Sequence, residues 1–345
     1  IVKKAPNGLT KNNPQHMKNF IYTLSIGIVL FWNACSSEKT KKNASESAID
    51  TSIAKPIFSE DSSFKFIEAQ LAFGPRVPNS KGHSACANYL TQTLKKYKAS
   101  VFVQEGIMTA FDGKKLNIKN IIASYNPSNP KRVLLCAHWD SRPFADQDSK
   151  DQDQAIMGAN DGGSGVGVLL EMARLFSIEN PKIGVDLILF DAEDYGQPEG
   201  SKFPSMQDSY CLGSQYWCKN QPSKGYQPMY GILLDMVGGE NVVFHQDEIS
   251  RTYAPVAVEK VWNAAAKAGY SSHFEYKNSP AIIDDHYYIN TILNIPVVDL
   301  IHHDESSLTG FWTHWHTHED NINNISKKSL KAVGQTLVEV IYSEE

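Results

Sequence analysis

Six short stretches of this sequence carry side chains that could do chemistry together. The apolar run Val185-Asp-Leu-Ile-Leu-Phe190 stops at Asp191-Ala-Glu-Asp194. A second, Arg132-Val-Leu-Leu-Cys-Ala137, stops at His138-Trp-Asp140, and a third, Tyr230-Gly-Ile-Leu-Leu234, stops at Asp235. Asp161 sits in the glycine-rich Gly158-Ala-Asn-Asp-Gly162, Asp284 opens Asp284-Asp-His286, and His316 lies in Trp315-His-Thr317. Adjacent carboxylates such as Glu193 and Asp194 repel each other unless a proton or a metal lies between them. Taken alone, the 191–194 stretch is better read as a solvated acidic turn. The other stretches change that reading, because carboxylates and imidazoles in one place form a set of nitrogen and oxygen donors suited to zinc.

The elements that must bring them together are legible as patterns. Apolar runs rich in Val, Ile and Leu alternate with helical stretches over 64–71, 80–97, 205–220, 254–268 and 326–342, and the glycine-rich 158–167 opens a further helix that runs through Leu169 to Phe176. Strands are expected over 101–108, 119–125, 132–137, 185–190, 230–234 and 295–301. This interleaving predicts one α/β domain with a central mixed, mostly parallel twisted sheet and helices on both faces. Open sheets of this kind place their chemistry beyond the carboxyl ends of the strands, so His138, Asp140, Glu193, Asp194 and Asp235 should share one edge, joined by Asp161 and His316. That much negative charge on one edge needs a bound cation.

Composition is compatible with an enzyme and excludes little else: 345 residues, 41% hydrophobic, 21% charged, net charge −5. No basic stripe or Lys/Arg cluster suggests nucleic acid as a partner. Residues 1–16 are polar, lack Met and read as upstream, non-native sequence. Met17-Lys18 and the apolar run over 20–32 read as a signal segment, too short for a comfortable membrane span. It ends at Ala34-Cys35, which resembles a bacterial lipobox, with Trp32 where Leu or Val is usual. Segment 17–35 is therefore expected to be a lipoprotein signal peptide with Cys35 lipidated, ahead of a plain secretory signal or a retained anchor. Segment 36–55 reads as a flexible tether and 56–345 as the catalytic domain. Cys86, Cys136, Cys211 and Cys218 show no zinc-ligand spacing and read as small buried residues. The acidic run over 146–153 lacks the glycine and terminal glutamate of a calcium loop and reads as solvated.

With these residues in view, the sequence resembles the zinc aminopeptidase-like family and, within it, the glutaminyl cyclases. The resemblance spans nearly everything from Phe58 onward and rests on the six stretches in their order. Asp284-Asp-His286 and the Trp before His316 are the features that set cyclases apart from plain aminopeptidases. It implies that Asp161, Asp194 and His316 hold one Zn2+ and that Glu193 is the general acid and base. It further implies that Asp235 and Asp284 form an acid network with Glu193, and that Trp315 walls the pocket. Animal cyclases carry Glu where this chain has Asp194. Gly162 stands where related enzymes often have a larger residue, and a cis Asp161–Gly162 bond is expected by the same resemblance. The implied reaction converts the N-terminal Gln of peptides and proteins to pyroglutamate with release of ammonia. The implied setting is export to the periplasm, a monomer held to the membrane only by its lipid.

Two other readings stay open. His138, Asp161, Asp194, Asp235 and His316 are also the complete ligand set of a two-zinc aminopeptidase, so His138 and Asp140 are either second-metal residues or supports behind the metal ligands. A catalytically inactive, tethered binding lipoprotein is the third reading, against which the intact acid and histidine set argues. Among residues without an assigned role, Asp191 reads as structural, Asp285 and His286 as helix-capping, and Trp139 and Phe144 as pocket lining or rim packing. His302, His303, His314 and His318 read as surface or supporting histidines.

Overall fold

The computed structural model describes residues 55–345. Cys35, segments 1–16 and 17–35, and all of the 36–55 tether except Lys55 lie outside the described residues. Two helices come first, α1 (Glu60–Leu71) and α2 (Lys81–Lys96). Each starts at a serine, Ser59 or Ser80, whose hydroxyl accepts an otherwise unpaired backbone N–H of the first turn. Strands β1 (Ser100–Thr109), β2 (Lys115–Tyr125) and β3 (Arg132–His138) follow, then α3 (Gly163–Ile178), β4 (Gly184–Phe190), α4 (Leu212–Lys219) and β5 (Tyr230–Asp235). The chain continues through β6 (Phe244–Asp247), α5 (Glu248–Tyr253), α6 (Pro255–Lys267), β7 (Phe274–Ser279), α7 (Asp285–Tyr288), β8 (Val297–Ile301) and α8 (Lys327–Ser343).

Six strands form one sheet in the order β1-β2-β4-β3-β5-β8. The β1–β2 and β2–β4 pairs are antiparallel; β4–β3, β3–β5 and β5–β8 are parallel. This is the mixed, mostly parallel α/β sheet that the alternating pattern predicts. The continuous apolar runs divide between two cores at period two. Val133, Leu135, Leu187, Leu189, Ile232 and Leu234 pack with residues of α1, α3 and α8 on one face. Leu134, Cys136, Ile188, Phe190 and Leu233 pack with Cys211, Trp217 and Tyr288 on the other. A fully buried side chain such as Leu135 contributes strongly here, and Leu135→Ala would cost about 2–5 kcal/mol. Cys86, Cys136, Cys211 and Cys218 are buried and unbridged.

The structure departs from the pattern in three places. The helix expected over 205–220 covers only α4. Cys211 takes a left-handed conformation (φ 56°), and the N–H groups of Cys211 and Leu212 donate to the carbonyls of Glu193 and Ala192, so this backbone is committed to the acidic turn. After Asp284 there is one α-turn, α7, followed by a wider turn at Ile289–Leu293. β6 and β7 form an additional two-stranded parallel sheet. Among the described residues, no helix is long and apolar enough to cross a membrane.

Candidate metal centre

Parallel register delivers the candidate side chains to one edge. His138 pairs with Phe190 across β3–β4, and Asp235 with Ile301 across β5–β8, so the chain leaves β4 directly beside His138. Three non-glycine residues at the exits adopt left-handed backbone: Ala192 (φ 52°), Met236 (φ 47°) and His316 (φ 57°). Such residues cost about 1–3 kcal/mol each and persist only where the surroundings hold them. At Ala192 the holding group is Asp140, whose two oxygens accept from the N–H of Glu193 (3.0 Å) and of Asp194 (3.3 Å). The Asp161 turn is held by Asp320, which accepts from Asn160 N (2.7 Å) and Asp161 N (3.0 Å). Arg76 fixes the same turn from behind through the carbonyls of Trp139, Met157 and Gly158. Gly162 is required sterically: its φ is +82°, and a Cβ would sit 2.3 Å from the Asp140 carbonyl oxygen. The expected cis Asp161–Gly162 bond is not found, because no peptide bond among the described residues is cis. Positive φ at Gly162 makes the turn instead.

The result is two buried trios sharing Asp161. In Asp161, Asp194 and His316, one donor atom from each residue lies within 4.8 Å of the other two, and the same holds for His138, Asp161 and Asp235. His316 Nε2 is 3.2 Å from Asp194 Oδ1 and 3.8 Å from Asp161 Oδ2. His138 Nε2 is 3.0 Å from Asp161 Oδ1 and 3.3 Å from Asp235 Oδ1. Asp161 Oδ2, Asp194 Oδ2 and Asp235 Oδ2 have no hydrogen-bond partner among the described residues. Burial raises the Asp194 carboxyl, and the Asp161 charge raises it further. His138 is driven well above the usual imidazole range, burial being outweighed by the Asp235 carboxylate and its neighbours. Orphaned buried carboxylates with imidazoles at this spacing fit a zinc ion, which takes exactly such oxygen and nitrogen donors.

Glu193 sits beside the trios. The Cys211 thiol donates to Glu193 Oε1 at 3.2 Å, and Glu193, Cys211 and Asp284 bring donor atoms within 4.8 Å of one another. Burial raises the Cys211 thiol well above its ordinary value, which keeps it a donor. Burial and the neighbouring charges of Asp235 and Glu193 push Asp284 up to about 7. Asp235 is pushed up to about 6 by burial, against the opposing pull of His138. Both carboxyls are thus held above the ordinary carboxylate range. Asp284 Oδ1 accepts from the Asp285 N–H as the cap of α7, and Asp235 Oδ1 faces His138, so the contact with Glu193 is one of proximity.

Trp315 is half-buried and stacks on the His316 ring (centroids 3.8 Å, 28°), with Phe311 tilted against it at 4.9 Å. Two supporting residues have no signal in the sequence. Arg142 is fully buried, and its guanidinium reaches the Asp194 carbonyl (3.0 Å) and Oδ1 (3.3 Å) while gripping Asp146 at 2.6 and 2.9 Å. Asp146 Oδ1 lies 3.2 Å from His316 Nδ1, which leaves Nε2 to face the carboxylates. Asp146 thus corrects the reading of 146–153 as uniformly solvated; in that run Asp148 is the exposed-loop type, capping its own turn and the His318 N–H.

Other expectations resolve as follows. Asp191 is buried against His83 Nε2 at 2.8 Å and accepts from Lys119 N, a structural role. Trp139 is wholly buried, stacked on His83, and lines nothing. Phe144 packs at the rim against Phe111, Tyr195 and Arg142. Asp285 and His286 are fully buried rather than simple caps; His286 faces Asp247 and Asp299 at 3.5 and 3.7 Å, and Asp284 is the cap.

Residues 120–341 match the sequence model of Peptidase family M28. Among solved structures, the chain is similar to a Zn-dependent exopeptidase from Parabacteroides distasonis, at 50% identity and TM-score 0.83, covering 84% of this chain and 100% of that one. It is also similar to the glutaminyl cyclase of Tannerella forsythia, at 47% identity and TM-score 0.82, covering 84% and 100%. The glutaminyl-peptide cyclotransferase of Bos taurus is 25% identical over 293 residues, 76% of each chain.

Proposed function

The chain belongs to Peptidase family M28, and from that membership and the site we infer that it is a glutaminyl-peptide cyclotransferase, closing N-terminal Gln into pyroglutamate. The observation that carries this reading is the buried Asp284, which opens Asp284-Asp-His286 and brings a donor atom within 4.8 Å of Glu193 beside the first trio. Bound by Asp161, Asp194 and His316, one zinc ion would supply Lewis acidity to the side-chain amide carbonyl of the substrate.

The chain's own residues do the rest. Trp315, stacked over His316, offers an apolar wall against which the Gln methylenes pack. The substrate's α-nitrogen attacks its own side-chain amide carbon, forming the ring C–N bond. Glu193 takes the proton lost by that nitrogen and gives it to the departing amide nitrogen, which leaves as ammonia. The nucleophile belongs to the substrate, so no water is activated. Asp284 lies beside this carboxylate, and Asp235 faces His138. Cys211 holds Oε1 in place.

The test offers purified protein a Gln-leading and a Leu-leading peptide. Ammonia from the first and no free amino acid from the second is expected; free Leu without ammonia would overturn the reading. The second reading, a two-zinc aminopeptidase, is favoured by the His138, Asp161 and Asp235 trio, and a zinc content near two per chain would support it.

Export, a periplasmic location and a lipid anchor at Cys35 complete the proposal, supported by the apolar run over 20–32 and the Ala34-Cys35 pair. Fatty-acid labelling that survives Cys35→Ala would rule the anchor out. We further take the chain to act as a monomer, since both trios are complete within one chain; sedimentation as a dimer would oppose this.

A further inference from the structure

We propose that His245, His303 and Glu305 form a separate transition-metal site, outside the catalytic trios, in an outer cleft of the molecule. One donor atom of each residue lies within 4.8 Å of the others. The fold builds this pairing: Phe244 bridges His302, and the His303 N–H donates to the Val243 carbonyl at 2.9 Å, so β6 lies against the segment leaving β8. Neighbouring positions on these two segments set the His245 and His303 rings 4.7 Å apart. His245 is 4% exposed, and its Nδ1 has no hydrogen-bond partner among the described residues. Its Nε2 lies 3.3 Å from Glu275 Oε2, which places a second carboxylate at the same ring.

Two imidazoles and one or two carboxylates are the donor set of a zinc-class divalent ion, and Ni2+ or Cu2+ would compete for it. The residues line a cleft of about 940 Å³, so an ion can reach them from solvent. Lys277 is the counter-argument within the site, and it sharpens the expectation. Its ammonium lies 2.9 Å from Glu275 and 3.9 Å from Glu305, doing part of the work that a bound cation would do. An incoming ion must displace that ammonium, so affinity is moderate and rises when Lys277 is removed. An ion held here would tie β6 to the chain leaving β8, just before the loop that carries Trp315 and His316.

The probe is Co2+, whose visible absorption reports nitrogen and oxygen coordination, titrated into the full chain after zinc loading and dialysis. Wild type is expected to take up about one further ion per chain. His303→Ala/Glu305→Ala should lose that ion while keeping wild-type melting temperature and wild-type turnover. His138→Ala, which alters the catalytic trio, should keep it, and Lys277→Ala should bind it several-fold more tightly. The proposal is overturned if wild type takes up no further Co2+, or if the His303→Ala/Glu305→Ala protein binds it as well as wild type does.

Discussion

The two trios that share Asp161 differ in what stands behind them. His316 in the first is backed by Asp146, and Asp194 is backed by Arg142, whose positive charge is fully buried. Its open side is walled by a half-buried tryptophan. His138 in the second is ringed by carboxylates alone: Asp161, Asp235 and, 3.5 Å from Nδ1, Asp140. Asp140 is meanwhile occupied in holding the Glu193 and Asp194 amides. The Asp235 carboxylate and its neighbours outweigh burial at His138 and draw its imidazole upward from its ordinary value. The first trio thus has a buried cation behind one acid and a tryptophan at its mouth, whereas the second is backed by carboxylates.

The largest expected effect tests the acid beside both trios. Glu193→Gln should lower cyclisation by about 10²–10⁴-fold, the usual contribution of a positioned proton carrier, with zinc content unchanged. Near-normal turnover would remove Glu193 from the mechanism. Next, the trios are separated directly by metal analysis. His316→Ala should purify with little zinc, whereas His138→Ala should keep about one ion per chain. Equal loss in both variants would break the distinction between them. A smaller effect is expected behind the first trio. Asp146→Asn leaves His316 in place but weakens the partner of Nδ1, and zinc affinity should fall by about 10–100-fold with Trp315 fluorescence little changed. Unchanged affinity in competition with a chelator would mean that Asp146 only seats Arg142.

These supports mark the limit of what the sequence discloses. The strand ends were legible because an apolar run that stops at a carboxylate is a local signal: His138, Glu193, Asp194 and Asp235 all announce themselves that way. Asp161 was legible through its glycines, and Gly162 proves to be demanded by the Asp140 carbonyl. Asp146 was hidden because it sits in a run of acids that otherwise behaves as surface, and only the approach of His316, far along the chain, gives it a role. Arg142 and Cys211 were hidden for the same reason, since side chains that meet across loops leave no period. β6 and β7 were missed because Phe-His-Gln-Asp and Phe-Glu-Tyr-Lys-Asn-Ser are mostly polar, and the second has an exposed middle. Propensity yielded there to the bridge that β6 makes with the chain after β8.

The smallest expected effect is on stability, and it asks whether the inner charge is balanced without metal. Asp235 and Asp284 stand at about 6 and about 7 in the folded chain, above their ordinary 3.8, through burial and neighbouring charge. An acid whose folded pKa is raised holds its proton more tightly folded than unfolded. Its contribution is fully present below pH 3.8 and is lost as pH rises through 6 and 7. Metal-free protein should therefore lose stability between about pH 4 and 7, at no more than about 1.4 kcal/mol per pH unit for each group. Zinc in the first trio adds positive charge beside Asp161 and lowers the burden on both acids, so the zinc-loaded profile should be flatter. Urea midpoints of chelated and zinc-loaded protein across that range give the two slopes. Parallel profiles would mean that the ion and the acid pair are electrostatically independent.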